Sequence, residues 1–139
     1  AWWSNSLQLQ WSDIDIKNHI EKHDLFAKAW RRLLSQSSKN DHFVRAAELN
    51  NQLLGVVHAG TEIDKNTGLE IGEILWIHVK EDKRREGTGQ LLLDAAHEWL
   101  KAQNISGITL FVNQHNDSAR KLYQKSRYII SDLRMMHPL

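Results

Sequence analysis

In this 139-residue chain the stretch best suited to chemistry is Arg84-Arg85-Glu86-Gly87-Thr88-Gly89. It follows an apolar, β-branched run, Ile74-Leu75-Trp76-Ile77-His78-Val79, that reads as a strand. It precedes Gln90 to Gln103, which reads as an amphipathic helix. Two glycines one residue apart let the backbone turn tightly and come close to a ligand. The first amides of a helix have no partner within it, and the helix dipole adds positive potential there. A phosphate or pyrophosphate is the natural occupant. The spacing fits neither a Walker loop, which needs a Gly-Lys-Ser/Thr ending, nor the dinucleotide fingerprint, because Leu92 stands where its third glycine or alanine belongs. Taken alone, the loop could equally be an ordinary strand-to-helix turn.

A second segment bears on the first. Arg84, Gly87 and Gly89 fit an Arg/Gln-x-x-Gly-x-Gly/Ala pattern, and Asn116, Ala119, Tyr123 and Lys125 fit N-x-x-A-x-x-x-Y-x-K. Together, and in this order, they resemble the acetyl-coenzyme A (acetyl-CoA) segments of the GNAT family of N-acetyltransferases, from about Phe43 to Tyr128. The resemblance implies a mixed α/β fold, with a central twisted, mostly antiparallel sheet flanked by helices on both faces. It implies that acetyl-CoA places its pyrophosphate on the turn formed by Arg84, Arg85, Glu86, Gly87, Thr88, Gly89 and Gln90. Lys83, Arg84 and Arg85 would add positive charge. The peptide-like pantetheine arm would run along the strand end Ile77, His78 and Val79 as a pseudo-strand, with Asn116 holding it from the other segment. As a helix N-cap, Asn116 also has a purely structural explanation.

Acyl transfer from a thioester to an amine needs a neutral amine and an acid for the leaving thiolate. By the resemblance, Tyr123 is the acid and Glu73, fourteen residues before Gly87, is the base. A carboxylate among apolar strand residues is costly to ionise, which lifts its pKa toward a useful base. Packing for Tyr123 and a wet strand face for Glu73 are the plain alternatives. A water chain, Glu70, His115 and His78 are fallback bases. Glu62, Asp64, Glu70 and Glu73 gather in sequence around the expected acceptor mouth and favour a cationic amine. Two departures stand out. Arg127 occupies a place where the family usually has glycine, and Glu86 puts a carboxylate beside the phosphate turn.

These residues must be positioned by a definite order of elements. Leu7 to Trp11 alternates as a short strand, and Ser12 or Asp13 can cap a first helix. Phe26, Trp30, Leu33 and Leu34 predict a second helix ending at Ser35-Gln36-Ser37-Ser38. His42–Leu49 and Leu53–Ala59 flank Asn50-Asn51, a hairpin turn. Asp64 to Gly68 is another turn, and Leu69–Val79 is the central strand. Leu91, Leu92, Ala95, Ala96, Trp99 and Leu100 mark the buried face of the next helix. Ile108–Val112 is a strand, Asp117–Lys125 a helix, and Tyr128–Ile130 the start of a last strand.

Length and composition suit a single domain over 1–139 with its own core. The chain contains no cysteine, which excludes disulfides, thiolate metal sites and a cysteine-linked acetyl-enzyme. His19 and His23 have metal-like spacing but no third ligand beside them, so no metal is expected. A net charge of +1 gives no reason to invoke nucleic acid, and no apolar run approaches a membrane span. No leader is visible, and a cytoplasmic location is expected. The expected partner is a small-molecule or peptide amine, acetylated by direct attack in a ternary complex; a homodimer is allowed. A non-catalytic acyl-CoA sensor, or an interaction module whose glycine turn is structural, are the competing readings.

Overall fold

The computed structural model describes residues 41–135 together with Lys28, Arg31, Arg32, Ser35 and His137. The strand expected at Leu7–Trp11 and the first helix lie outside the described residues. Of the second predicted helix, Lys28, Arg31, Arg32 and Ser35 are helical and exposed, a spacing that marks one polar face.

The chain divides into two compact units, Ala29–Phe111 and Val112–Leu139 with Ala1–Lys28. The first holds a four-stranded sheet of order β1-β2-β3-β4: β1 His42–Leu49, β2 Gln52–Ile63, β3 Glu70–Val79 and β4 Ile108–Leu110. The first three strands are antiparallel neighbours, and β4 runs parallel to β3. Asn50 and Asn51 both take positive φ, 52° and 62°, which is what a tight two-residue hairpin demands. The β2–β3 turn closes where Asp64 accepts from the Thr67 amide at 3.0 Å and Gly68 turns with φ 71°.

Helix α1, Thr88–Lys101, crosses between β3 and β4. It starts two residues before the predicted Gln90. Its apolar stripe, Leu92, Leu93, Ala96 and Leu100, is buried, as are Val57, Ala59 and Ile74 of the sheet. Each large aliphatic side chain so buried contributes about 1.5–3 kcal/mol. Register and close approach define the faces. A Cβ on Gly72 would meet Leu100, and one on Gly55 would meet Leu92, so these residues and their pairing partners face α1. Phe43 stacks on Trp99 at 5.5 Å on this same side. Strand alternation places His42, Val44, Val56, His58, Gly60, Glu62 and Glu73 on the opposite face.

Two bulges interrupt the register. One lies between Ala47 and Glu48, where β2 carries the extra Leu54. The other lies between His58 and Ala59, where β3 carries the extra Leu75.

In the second unit, α2 spans Asp117–Lys125 as predicted. The strand expected from Tyr128 to Ile130 is not formed. The Tyr128 amide is taken by the Tyr123 carbonyl at 2.9 Å, and Ile129 and Ile130 are exposed. A strand needs a neighbour for its backbone groups, and here the first of them closes a helix instead. The preceding strand is also shorter than expected, ending at Leu110 rather than Val112.

Candidate active site

The glycine turn is built to open a helix without a side-chain cap. After a single 3-10 turn, Glu81–Lys83, the chain extends through Arg84, and Arg85 then takes φ 65°. Gly87, at φ 85°, is the N-cap of α1 and offers no side chain to the first-turn amides. Leu91 makes the first helical bond, to the Gly87 carbonyl at 3.0 Å. The amides of Thr88, Gly89 and Gln90 precede it, at the positive end of the dipole. A left-handed arginine is strained by about 1 kcal/mol or more, and strain of this kind gathers at ligand-binding turns. Arg84 is partly committed elsewhere, since its Nε donates to the Val79 carbonyl at 3.0 Å and ties the turn to the end of β3. Arg85 and Glu86 are exposed, and Thr88 is buried.

Immediately upstream the sheet opens. β4 pairs with β3 only at Gly72, Glu73 and Ile74. β4 ends at Leu110, opposite Ile74, while β3 runs on to Val79 with Trp76 to Val79 in register with β2. Ile77, His78 and Val79 thus lie on the part of β3 beyond the end of β4 and lead into the turn. Trp76 and His78 stack at 5.9 Å, and burial followed by Arg84 lowers the His78 pKa.

Glu73 sits in the middle of the short β3–β4 ladder, with Gly60 on one side and Thr109 on the other. It is half-buried. Burial, and secondly the charge of Glu62, push its pKa above the usual carboxylate value. The four carboxylates that gather in sequence separate in space. Glu62 and Glu73 share the face away from α1. Glu70 is exposed and has the opposite parity, and Asp64 is engaged by Thr67.

In the second unit, Asn116 caps α2: its Oδ1 accepts from the Ala119 amide at 3.1 Å. His115 is exposed, its amide bonded to the Asn113 side chain. Tyr123 is buried, and burial raises its phenol to about 12. Its ring meets Tyr128 edge-on at 5.7 Å. The helix ends in a Schellman closure, with Arg127 bonding back to Gln124 and Tyr128 to Tyr123. Its left-handed position falls on Arg127, at φ 68°. Arginine thus takes a conformation that suits glycine and bears the strain.

A model of the acetyltransferase (GNAT) family matches residues 4–127. The chain belongs to the GNAT acetyltransferase family. Solved structures agree on the fold. A Pyrococcus furiosus protein assigned as an acetyl transferase is 29% identical, with a TM-score of 0.70, covering 86% of this chain and 78% of its own. A ribosomal-protein-alanine N-acetyltransferase from Brucella melitensis is 20% identical, with a TM-score of 0.59 over 73% of this chain and 74% of its own. An aminoglycoside N-acetyltransferase in complex with CoA is 15% identical, with a TM-score of 0.69 over 88% of this chain and 94% of its own. No curated protein matches.

This GNAT chain also carries two residues that inspection of the sequence passed over. His42 and His58 lie on the Glu73 face, with Nδ1 of His42 2.8 Å from Nε2 of His58. They are sixteen residues apart in the chain and match neither family motif. Among the described residues, no three His, Asp or Glu side chains gather as a metal site would require, and no helix is long and apolar enough to cross a membrane.

Proposed function

We propose that this GNAT chain works as one catalytic domain that moves the acetyl group of acetyl-CoA onto a primary amine by direct attack in a ternary complex. The observation that carries the reading is that β3 runs on beyond the end of β4 at Ile74 and leads into a helix start with no side-chain cap. An extended amide-bearing arm suits the β3 edge beyond β4, and a pyrophosphate suits the turn. The backbone of Ile77, His78 and Val79 takes the arm, with Asn116 supporting it. Arg84, Arg85, Glu86, Gly87, Thr88, Gly89 and Gln90 form the cradle, in which backbone amides carry more of the binding than the partly committed Arg84.

Chemistry follows where the arm ends. Glu73, with its raised pKa, takes a proton from the acceptor ammonium. The freed lone pair attacks the thioester carbonyl, the C–S bond breaks, and Tyr123 supplies the proton to sulfur; the nitrogen of the adduct then gives up its second proton, which restores the Tyr123 phenol through solvent. Burial keeps that phenol protonated at working pH, so it acts as a donor. The paired charges of Glu62 and Glu73 favour a cationic amine. Two solved neighbours act on an aminoglycoside and on a ribosomal-protein alanine, both amine acceptors, and a small-molecule or peptide amine is the class proposed here.

Thermal unfolding with and without acetyl-CoA tests the cradle, and a rise in Tm is expected. Release of free thiol in the presence of tyramine, spermidine and a lysine-bearing peptide tests the transfer. Stabilisation with no thiol release from any amine would favour a coenzyme sensor over an enzyme.

A further inference from the structure

Two imidazoles on the Glu73 face have no part in the chemistry above. His42 opens β1 and His58 lies within β2; their rings are 5.0 Å apart, and the contact between Nδ1 and Nε2 is 2.8 Å. One nitrogen donates and the other accepts, so a single proton is shared at that contact. His58 is buried, and burial first, then His42 and Arg32, bring its pKa down to about 4. It is therefore neutral near pH 7. On its far side, His42 Nε2 lies 3.8 Å from Oδ1 of Asp41. Side-chain exposure rises along this line, from 15% at His42 to 62% at Asp41. The result is a line of groups from a buried imidazole to an exposed carboxylate.

The pair lies on the same face of the sheet as Glu73. His42, Gly60 and Glu73 are register partners in one row across β1, β2 and β3. Gly60 leaves the middle of the row without a side chain. A Cβ there would stand 3.2 Å from His42 Nδ1 and 3.3 Å from Leu75 Cδ1. The His42 imidazole therefore stands over Gly60 in the middle of β2, on the face that carries Glu73. Among the described residues, the titratable groups beside the pair or on its face of the sheet are Arg32 from the helical residues before the sheet, Asp41, Glu62 on β2, and Glu73 and His78 on β3.

We propose that the hydrogen-bonded pair His42–His58 receives the proton that Glu73 takes from the acceptor ammonium and delivers it to Asp41 and solvent. This rests on Glu73 being the base in the reaction above. Acetylation of an ammonium with release of CoA thiol leaves one proton over in each turnover. The ammonium N–H bond breaks as the Glu73 O–H bond forms. That O–H bond then breaks as a ring nitrogen of the pair gains the proton, and the proton at the far end of the pair leaves to Asp41 or water. Glu73 is restored as a carboxylate, and no electrons change hands. His42 acts through His58 and Glu73 and is a positioning residue by the same argument.

The test uses the full chain, acetyl-CoA and whichever of tyramine, spermidine and the lysine-bearing peptide is turned over. His58→Gln and His42→Gln are expected to lower kcat about tenfold or more at pH 7, within the range of proton-transfer groups. The KM for acetyl-CoA should stay within about twofold. The loss should shrink toward pH 9, and imidazole added to the buffer should restore part of the rate. Unchanged kcat, or a loss equal at every pH and indifferent to imidazole, would show a packing pair and overturn the relay. If circular dichroism shows His58→Gln unfolded, His42→Gln, at the start of β1, decides alone. A parent active on an amine but insensitive to Glu73→Gln overturns the relay and leaves the acetyltransferase reading standing. A parent that turns over none of the amines removes both.

Discussion

In the proposed reaction a phenol and a carboxylate divide two proton movements, and burial shifts both toward the neutral form. For Tyr123 this keeps the acid charged with its proton. Tyr123→Phe removes only the hydroxyl and leaves the ring against Tyr128. It should bind acetyl-CoA as the parent does and turn over about 10²–10⁴-fold more slowly. Unchanged turnover at saturating substrates would return Tyr123 to a packing role. For Glu73 the same physics has two consequences. Glu73→Gln should slow the reaction most at moderate pH and less at high pH, where amine arrives neutral without help; a pH–rate profile on one accepted amine checks this. It should also stabilise the protein. The folded pKa lies above the ordinary 4.5, so ionisation weakens the fold as pH rises through that value. The variant is expected to melt higher than the parent at pH 7–8, and the gain should vanish below about pH 4.5, where the parent is neutral too. A Tm difference constant across pH would remove the burial argument.

The elements that hold these groups can be tested by glycine. Gly89 lies in the first turn of α1, where a branched side chain would stand between the amides and a phosphate. Gly89→Val should weaken acetyl-CoA binding strongly, and calorimetry on the folded variant that finds the parental affinity would take the turn out of the site. At the end of α2, Arg127→Gly relieves the left-handed position of the Schellman closure. A gain of about 1 kcal/mol is expected, visible as a rise of a few degrees in Tm. Much of this scaffold was legible from local chemistry. Asn50-Asn51 announced a turn needing two positive φ values, Asp64 to Gly68 announced another, and the stripe Leu92, Ala96, Leu100 announced α1. Asn116 could be read as a cap because its residue type and the helix after it agree. The histidine pair could not be read this way. Counting back from the Asn-Asn turn alone, His42 would pair with Ala59 and lie on the face opposite His58. The extra Leu54 at the bulge shifts the register by one, so that His42 pairs with Gly60 and Val44 with His58. No local pattern in the sequence marks that bulge. The missing last strand failed for a related reason: its β-like residues say nothing of whether a neighbour will pair with them.

At the scale of the whole molecule, three imidazoles share one bias. His58, His78 and His97 all have pKa values lowered, burial being the largest cause in each. The unfolded chain therefore binds more protons below pH 6.5, and stability falls as pH drops from there toward about 4. Melting curves between pH 7 and 4 should show this slope, and His58→Gln should flatten it; an identical slope in the variant would place the acid sensitivity elsewhere. The turn before α1 has a practical consequence at this scale. Arg84 and Arg85 are exposed and lie outside any helix or strand, which is how trypsin prefers its targets. Cleavage there would separate the first three strands from α1 and β4. If acetyl-CoA seats on the same backbone, it should slow the cut, so a timed digest on a gel would reveal coenzyme occupancy before any acceptor amine is known.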